Sequence, residues 1–123
     1  MKDSRKIEFI ESFKIKTKEF GKDVIRLMFD IEKNTASNVI SYQLIKSCTS
    51  VGANYRAACL ARSKNEFFSK ISIVVEEIDE SLYWLELIKD LGMIKNETEL
   101  NRIIEEGIEI SKVVSTAKKK KYN

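Results

Sequence analysis

Small residues fill the middle of one long helical pattern, and this feature limits the possible fold more than any other. The stretch from Ser47 to Cys59 reads SCTSVGANYRAAC and contains a single amide, Asn54. At about 100° per residue, small and polar side chains recur along one side at spacings of three and four. This small-residue strip consists of Gln43, Ser47, Ser50, Asn54, Ala57 and Ala61. Beside it runs an apolar stripe, so this one helix needs neighbours on two faces.

The rest of the chain supplies those neighbours as further helices. The 123 residues include no proline and only four glycines, which favours long helices over turns and sheets. Apolar periodicity predicts four helices, at about residues 4–33, 37–61, 64–91 and 97–118, before a basic tail at 118–123. Because the connections are short, successive helices run antiparallel. We therefore expect one all-α domain over residues 1–123, an up-down-up-down four-helix bundle.

Capping residues mark the helix boundaries. Asp3 or Ser4 can cap the first helix, and the polar segment 34–38 holds three candidate caps for the second. Ser63 with Glu66 three residues later reads as a capping box before the third helix. Gly92 is placed to end that helix, and the segment Asn96 to Glu99 repeats the capping pattern before the fourth.

Polar residues of the small-residue strip are predicted to set the register between helices. Asn54 is expected to hydrogen bond to a neighbouring helix, because a buried amide is a common register device. Gln43, Ser47 and Ser50 share its side of the helix and are assigned the same structural role.

A second apolar set on the third helix predicts self-association. The core stripe of that helix includes Phe67, Ile71 and Ile78, and the second set lies on roughly the opposite side. A lone bundle would leave this second set in water, and exposed apolar patches with a large aromatic usually mark contact surfaces. The candidate interface residues are Ile73, Trp84, Leu87 and Leu91.

The residue types provide no catalytic chemistry. Histidine is absent, which excludes His-dependent triads and His-bearing zinc or di-iron sites. Cys48 and Cys59 lie eleven positions apart on one predicted helix, about 16 Å, too far for a disulfide. No apolar run reaches the roughly 20 residues of a membrane span. We expect a cytoplasmic protein that is not an enzyme and has no membrane association, cofactor, metal or catalytic residue.

Charge is distributed unevenly along the chain. The net charge is +3 overall, but it is −8 over residues 73–110 and positive in the segments on either side. An acidic stripe follows the third helix at spacings of three and four, and consists of Glu76, Asp79, Tyr83, Glu86 and Asp90. We interpret this stripe as a solvated face, or as one that meets basic residues of a neighbour, in preference to a metal site.

Clustered basic residues are candidates for contacts with phosphates. Such clusters attract nucleic acid through electrostatics that do not depend on sequence. Salt bridges to the acidic third helix are the alternative use of the same charges. The candidate nucleic-acid contacts are Arg56, Arg62, Lys64, Lys70, Lys118, Lys119, Lys120 and Lys121.

Several motifs together resemble a known bacterial family. The relevant segments are QLIKSCTSVGANYRAA at 43–58, ARSKNEF at 61–67, KISI at 70–73 and EIDESLYWLE at 77–86. They resemble the four-helix-bundle proteins related to those encoded in intervening sequences of 23S ribosomal RNA genes. The chain is also similar to the accessory variability determinant of diversity-generating retroelements, which works with a reverse transcriptase and nucleic acid.

The resemblance implies an assembly and leaves two functions open. It implies that the bundle assembles into a ring, typically a homopentamer, so the first expected partner is the protein itself. One function is binding of structured RNA, or of a nucleic-acid-processing protein, through the basic residues. The alternative is a protein-interaction scaffold without a nucleic-acid role, in which the acidic stripe and the surface around Trp84 bind subunits or another protein.

Overall fold

The computed structural model describes residues 3–122, with side chains up to Lys120, and within that range it contains four helices and no strand. The expectation of an all-α fold is therefore confirmed. The helices are α1 (Ser4–Met28), α2 (Thr35–Cys59), α3 (Lys64–Asp90) and α4 (Glu97–Tyr122). No helix in the described part of the chain is long and apolar enough to cross a membrane.

Each helix begins at a residue that the sequence marks as a cap. The Asp3 carboxylate accepts from the Arg5 backbone N–H, and the Ser63 hydroxyl accepts from the Glu66 N–H at 3.0 Å. At α2, Asn34 and Ser37 exchange side-chain and backbone hydrogen bonds in a complete capping box. The box predicted at Ser63 is only half formed, because the Glu66 carboxylate lies 3.7 Å from the Arg62 guanidinium instead.

Two boundaries differ from the predicted ones at the α1–α2 connection. The first helix ends at Met28, five residues before the expected Lys33, because Phe29 and Asp30 donate to carbonyls three residues back, in a tighter turn. That turn brings Ile31 into the core at 4% exposure. Since Asn34 already caps α2, the second helix begins at Thr35, two residues before the expected Ser37.

The α3–α4 connection has the two predicted caps, although the box at Asn96 is only half formed because the Glu99 carboxylate accepts from the Arg102 guanidinium instead. Gly92 has a φ of +62°, the left-handed conformation of a glycine that terminates a helix. The Asn96 side chain then accepts from the Glu99 N–H at 3.1 Å and caps α4. These two residues explain why the chain reverses direction within a few positions.

The four helices form a four-sided bundle around one apolar core. Each helix packs against its neighbours in sequence, and α4 packs against α1; the α2–α3 pair is in the closest contact and the α1–α4 pair in the loosest. Leu44, Ile71, Ile78 and Ile110 are fully buried at the centre. Burying about one such side chain per turn of each helix provides most of the stabilisation.

The backbones of α1 and α2 approach each other closely at two glycines, with no side chain between them. A Cβ atom at Gly52 would lie 3.5 Å from the Thr17 carbonyl oxygen, and one at Gly21 would lie 3.4 Å from the Cys48 carbonyl oxygen. Glycine at both positions removes the side chains that would otherwise separate the two helices. A shallow groove with a floor of small residues results on the outer side of this pair.

Candidate functional site

Antiparallel topology gathers basic residues at one end of the bundle. The start of α1, the α2–α3 connection and the end of α4 all lie at this end. Two contacts document the arrangement: the Phe13 ring packs edge-on against Tyr55 at 4.8 Å, and the Lys118 ammonium lies 5.3 Å from the Phe68 ring centroid. The basic residues of this end, called the basic end below, are Arg5, Lys6, Arg62, Lys64, Lys118, Lys119 and Lys120.

Most of the predicted phosphate contacts lie at the basic end. Arg62 and Lys64 are exposed, and Arg62 forms a loose ion pair with Glu66. Lys119 and Lys120 are exposed on the last described turns of α4, and Lys118 is half-buried over the Phe68 ring. The side chain of Lys121 lies outside the described residues.

Two predicted contacts lie away from that end. Lys70 is half-buried on α3. Arg56 is exposed and lines the groove between α1 and α2, which has a volume of about 530 Å³. The structure therefore divides the predicted set among three places: the basic end, the groove with Arg56, and the half-buried position of Lys70 on α3.

The sequence reasoning missed the basic residues that α1 contributes. Arg5 and Lys6 belong to the basic end, while Lys14, Lys18 and Lys22 line the groove opposite Arg56. A detectable signal was present, since Lys14, Lys18 and Lys22 follow one another at spacings of four along one helix face. That these lysines lie close to Arg56, however, depends on how α1 packs against α2.

The groove has an apolar floor and a charged rim. Its floor includes Gly21, Gly52, Ala53 and Cys48. Burial raises the pKa of the Cys48 thiol to about 12, so this cysteine is a closed, neutral part of the floor.

The small-residue strip faces α3, and one of its members forms a hydrogen bond between helices. The Ser47 hydroxyl lies 2.8 Å from the Ser81 hydroxyl, and both residues are fully buried. Asn54 instead donates to the Ser50 carbonyl and hydroxyl oxygens, both within α2. Gln43 is half-buried on the same face. Ser47 thus forms the hydrogen bond that joins α2 to α3 here, whereas both hydrogen bonds of the Asn54 amide stay within α2.

The predicted interface residues cover part of their own bundle. Trp84 and Leu87 are half-buried against the core, and the Trp84 indole N–H donates to the Glu80 carboxylate at 3.2 Å. Ile73 is half-buried as well, so Leu91, at 60% exposure, is the one member left largely in water. The involvement of these four residues in an interface stays a prediction.

The acidic stripe of α3 points away from the core. All five of its members are exposed, and within the described residues none of its four carboxylates forms an ion pair or hydrogen bond. At its centre, Tyr83 is 57% exposed and packs edge-on against Trp84 at 5.0 Å. Of the basic candidates, Arg62 does pair with a carboxylate of α3, but that carboxylate, Glu66, lies outside the stripe.

Comparisons with known proteins agree with the fold and with the sequence motifs. A family model described as "23S rRNA-intervening sequence protein" matches residues 13–116. A crystal structure of a protein of unknown function from the S23 ribosomal protein family of Bacteroides thetaiotaomicron is similar to the chain. It superposes with a TM-score of 0.79 at 32% sequence identity, covering 89% of this chain and 97% of the other. No curated protein matches. The chain belongs to the 23S rRNA-intervening sequence protein family.

Proposed function

We propose that this protein is a non-enzymatic, oligomeric bundle that binds structured RNA through its basic end. The observation that carries the proposal is the convergence of three separate chain segments, each bearing cations, at one end of the molecule. Arg62, Lys119 and Lys120 are exposed there and can reach the phosphates of a folded nucleic acid. Cations grouped in this way attract phosphates and release bound counterions, which drives binding without base readout.

The descriptions of the relatives make ribosomal RNA the first nucleic acid to test. The description of the matched family refers to 23S rRNA, and the similar crystal structure is assigned to an S23 ribosomal protein family. A-form RNA is recognised largely by shape and by phosphate contacts, which suits a rigid end with several cations. The self-association belongs to the same proposal: a ring, with five copies as the expected number, would repeat the basic end around its circumference.

The test compares two variants that lose the same number of charges at opposite ends. Lys119→Gln/Lys120→Gln removes two cations from the basic end, and Lys89→Gln/Lys95→Gln removes two exposed cations from the other end. We expect the first variant to bind a structured ribosomal RNA fragment more weakly at all salt concentrations. Its log–log salt slope should fall by about one for each phosphate that the substituted side chains no longer reach. The second variant should bind as the unsubstituted protein does.

Either of two results would disprove RNA binding at this end. One is the absence of measurable affinity at low salt for the unsubstituted protein. The other is an equal decrease in both variants, which would show a response to net charge alone. Circular dichroism of each variant checks that its helices are intact.

A second candidate function rests on the acidic stripe. Exposed carboxylates that do not pair within the chain, around an exposed tyrosine, are suited to a basic protein surface. On this alternative the protein is an interaction scaffold without a nucleic-acid role. Recovery of the same protein partners from the native host after nuclease treatment, abolished by reversing the charges of Glu76 and Glu86, would favour it.

A further inference from the structure

Two surfaces of this chain carry opposite charge that is not used within the fold. The first is the α1–α2 groove. At its rim, Lys14 pairs with Glu11 at 3.2 Å, and Lys22 pairs with Glu19 at 2.9 Å. These ion pairs compensate two of the four cations. Lys18 and Arg56 form no ion pair within the described residues, so they give the groove its net positive charge.

The second surface is the acidic stripe of α3. Its carboxylates project opposite the core, and Tyr83 lies between them. Exposed ion pairs do form elsewhere in the bundle, as between Lys16 and Glu109 at 2.8 Å. The basic residues of α1 do not reach the stripe, because α1 and α3 do not contact each other.

The dimensions of the two surfaces agree. The groove extends along α1 from Glu11 to Ile25, and the stripe extends along α3 from Glu76 to Asp90. Both intervals are fourteen positions, about 21 Å of helix. A helix laid along the groove would therefore place its whole acidic stripe within the length of the groove, with the cations of α1 facing the middle of the stripe.

The apolar parts of the groove and of the acidic stripe are also complementary in shape. The floor of the groove is formed by residues with small side chains, including Gly52 and Ala53, and Ile15 beside it is 62% exposed. Tyr83 is an exposed aromatic residue at the middle of the stripe. An aromatic side chain over a floor of small residues, enclosed by charged residues, is the usual anatomy of an interface centre.

We propose that α3 of one copy of this chain docks into the α1–α2 groove of a second copy. In this contact Tyr83 lies over the floor of the groove, and the carboxylates of the stripe face Lys18 and Arg56. The proposal rests on the self-association included in the proposed function and names the surfaces that form it. Since the groove and the stripe are different surfaces, the contact is heterologous: each copy offers one groove and one stripe, so contacts can continue until a ring closes.

Charge reversal on each surface tests this pairing. Lys18→Glu/Arg56→Glu makes the groove acidic, and Glu76→Lys/Glu86→Lys makes the stripe basic. Each variant alone places like charges against each other, so its self-association should weaken on the order of a hundredfold. Lys89→Glu/Lys95→Glu reverses two exposed cations outside both surfaces, and its assembly should be unchanged. Sedimentation velocity over a concentration series gives the mass of each species.

Mixing the two reversed variants gives the decisive measurement. In a 1:1 mixture, the unchanged stripe of the groove variant meets the unchanged groove of the stripe variant, and the two reversed surfaces meet each other with restored complementarity. Assemblies containing both chains should therefore form although neither variant assembles alone. A mixture that stays monomeric would overturn the pairing, as would variants that assemble normally on their own.

The result is separable from RNA binding. If the unsubstituted chain is a monomer at every concentration, the self-association itself is wrong, whereas RNA affinity at the basic end can still be measured. If the groove variant assembles normally but loses RNA affinity, the groove is an RNA surface and the docking proposal is wrong. If an assembled protein shows no RNA affinity, the proposed RNA function fails and the docking proposal stands.

Discussion

The two flanks of α1 use their charges in opposite ways. On the flank that meets α4, Lys16 pairs with Glu109 at 2.8 Å and with Glu106 at 3.3 Å, and Asp23 pairs with Arg102 at 3.1 Å. On the flank that meets α2, no ion pair joins the two helices within the described residues, and Lys18 has no ionic partner.

The difference follows from how closely each neighbour approaches. Packing between α1 and α4 is the loosest in the bundle, so long ionic side chains bridge the gap. Between α1 and α2 the backbones meet at Gly21 and Gly52, and the side chains beside this approach point outward around a groove. Charges on the α4 flank therefore serve the fold, while those on the α2 flank are available for a partner.

Breaking the close approach on the α2 flank should have the largest effect on stability. Gly52→Leu forces a branched side chain against the Thr17 carbonyl, and overpacking of this kind costs about 1–3 kcal/mol, offset in part by better helix propensity. Gly52→Ala should be tolerated, because its Cβ would be 3.5 Å from that oxygen, an ordinary contact. Urea unfolding measures the free energy of unfolding of both variants, with the dependence on urea concentration (the m-value) held at that of the unsubstituted protein.

An exposed position of α2 outside the groove provides the matched control. Ala36→Leu adds the same side chain away from the close approach, and should change the free energy of unfolding by no more than about 0.5 kcal/mol. Equal destabilisation by Gly52→Leu and Ala36→Leu would show that the approach of the two backbones does not limit packing here.

Removing cations from the two flanks of α1 should distinguish charges that stabilise the fold from charges that do not. Lys16→Ala and Arg102→Ala each break ion pairs between α1 and α4, and each should cost about 0.2–1 kcal/mol, the range for exposed pairs. The destabilisation should shrink at high salt. Lys18→Ala on the other flank should leave the free energy of unfolding nearly unchanged, since it removes no ion pair. A destabilisation by Lys18→Ala as large as that by Lys16→Ala would contradict the comparison.

A smaller effect is expected in the pH dependence of stability. The hydrogen bond from Lys16 lowers the pKa of the Glu109 carboxyl below 4.5, and the same contact raises the pKa of the Lys16 ammonium above 10.5. The Lys16–Glu109 ion pair thus makes its full contribution to the stability of the fold between pH 4.5 and 10.5. Its contribution is lost as the pH falls below 4.5 through the folded carboxyl pKa, and as it rises above 10.5 through the folded ammonium pKa.

Glu109→Gln isolates this effect. The difference in unfolding free energy between the variant and the unsubstituted protein should be largest near neutral pH and should narrow on acidification. Urea titrations at several pH values follow it. A difference that stays constant down to acidic pH would mean that the ion pair does not contribute. Glu11→Gln, which affects only a pair within α1, serves as the comparison.

Most of the helix framework was predictable from local patterns. Asp3, Ser63 and Asn96 cap their helices as expected, and Gly92 ends α3. The error at the end of α1 has a tertiary cause: Ile31 continues the apolar periodicity, but it reaches the core through a turn and not through further helix. Periodicity records that a residue is buried without recording the backbone path that brings it there.

The candidate site was predictable only in part. Basic residues near the α2–α3 connection and in the tail were identified, and their meeting at one end follows from antiparallel topology. Arg56 was among the predicted contacts, but its groove partners on α1 were not, because two helices contribute to that surface. Asn54 illustrates the reverse case: its amide bonds within its own helix, and the buried serines Ser47 and Ser81 join α2 to α3.

The sequence by itself determined four helices, their caps and their apolar faces, since these depend on interactions within about one helical turn. Only the tertiary structure decided which charges are already paired. Lys16 and Lys18 are two positions apart on the same helix, yet Lys16 reaches two carboxylates of α4 and Lys18 faces an open groove. An ion pair requires its partner within a few ångströms, and which helix lies within that distance is set by the packing of the bundle.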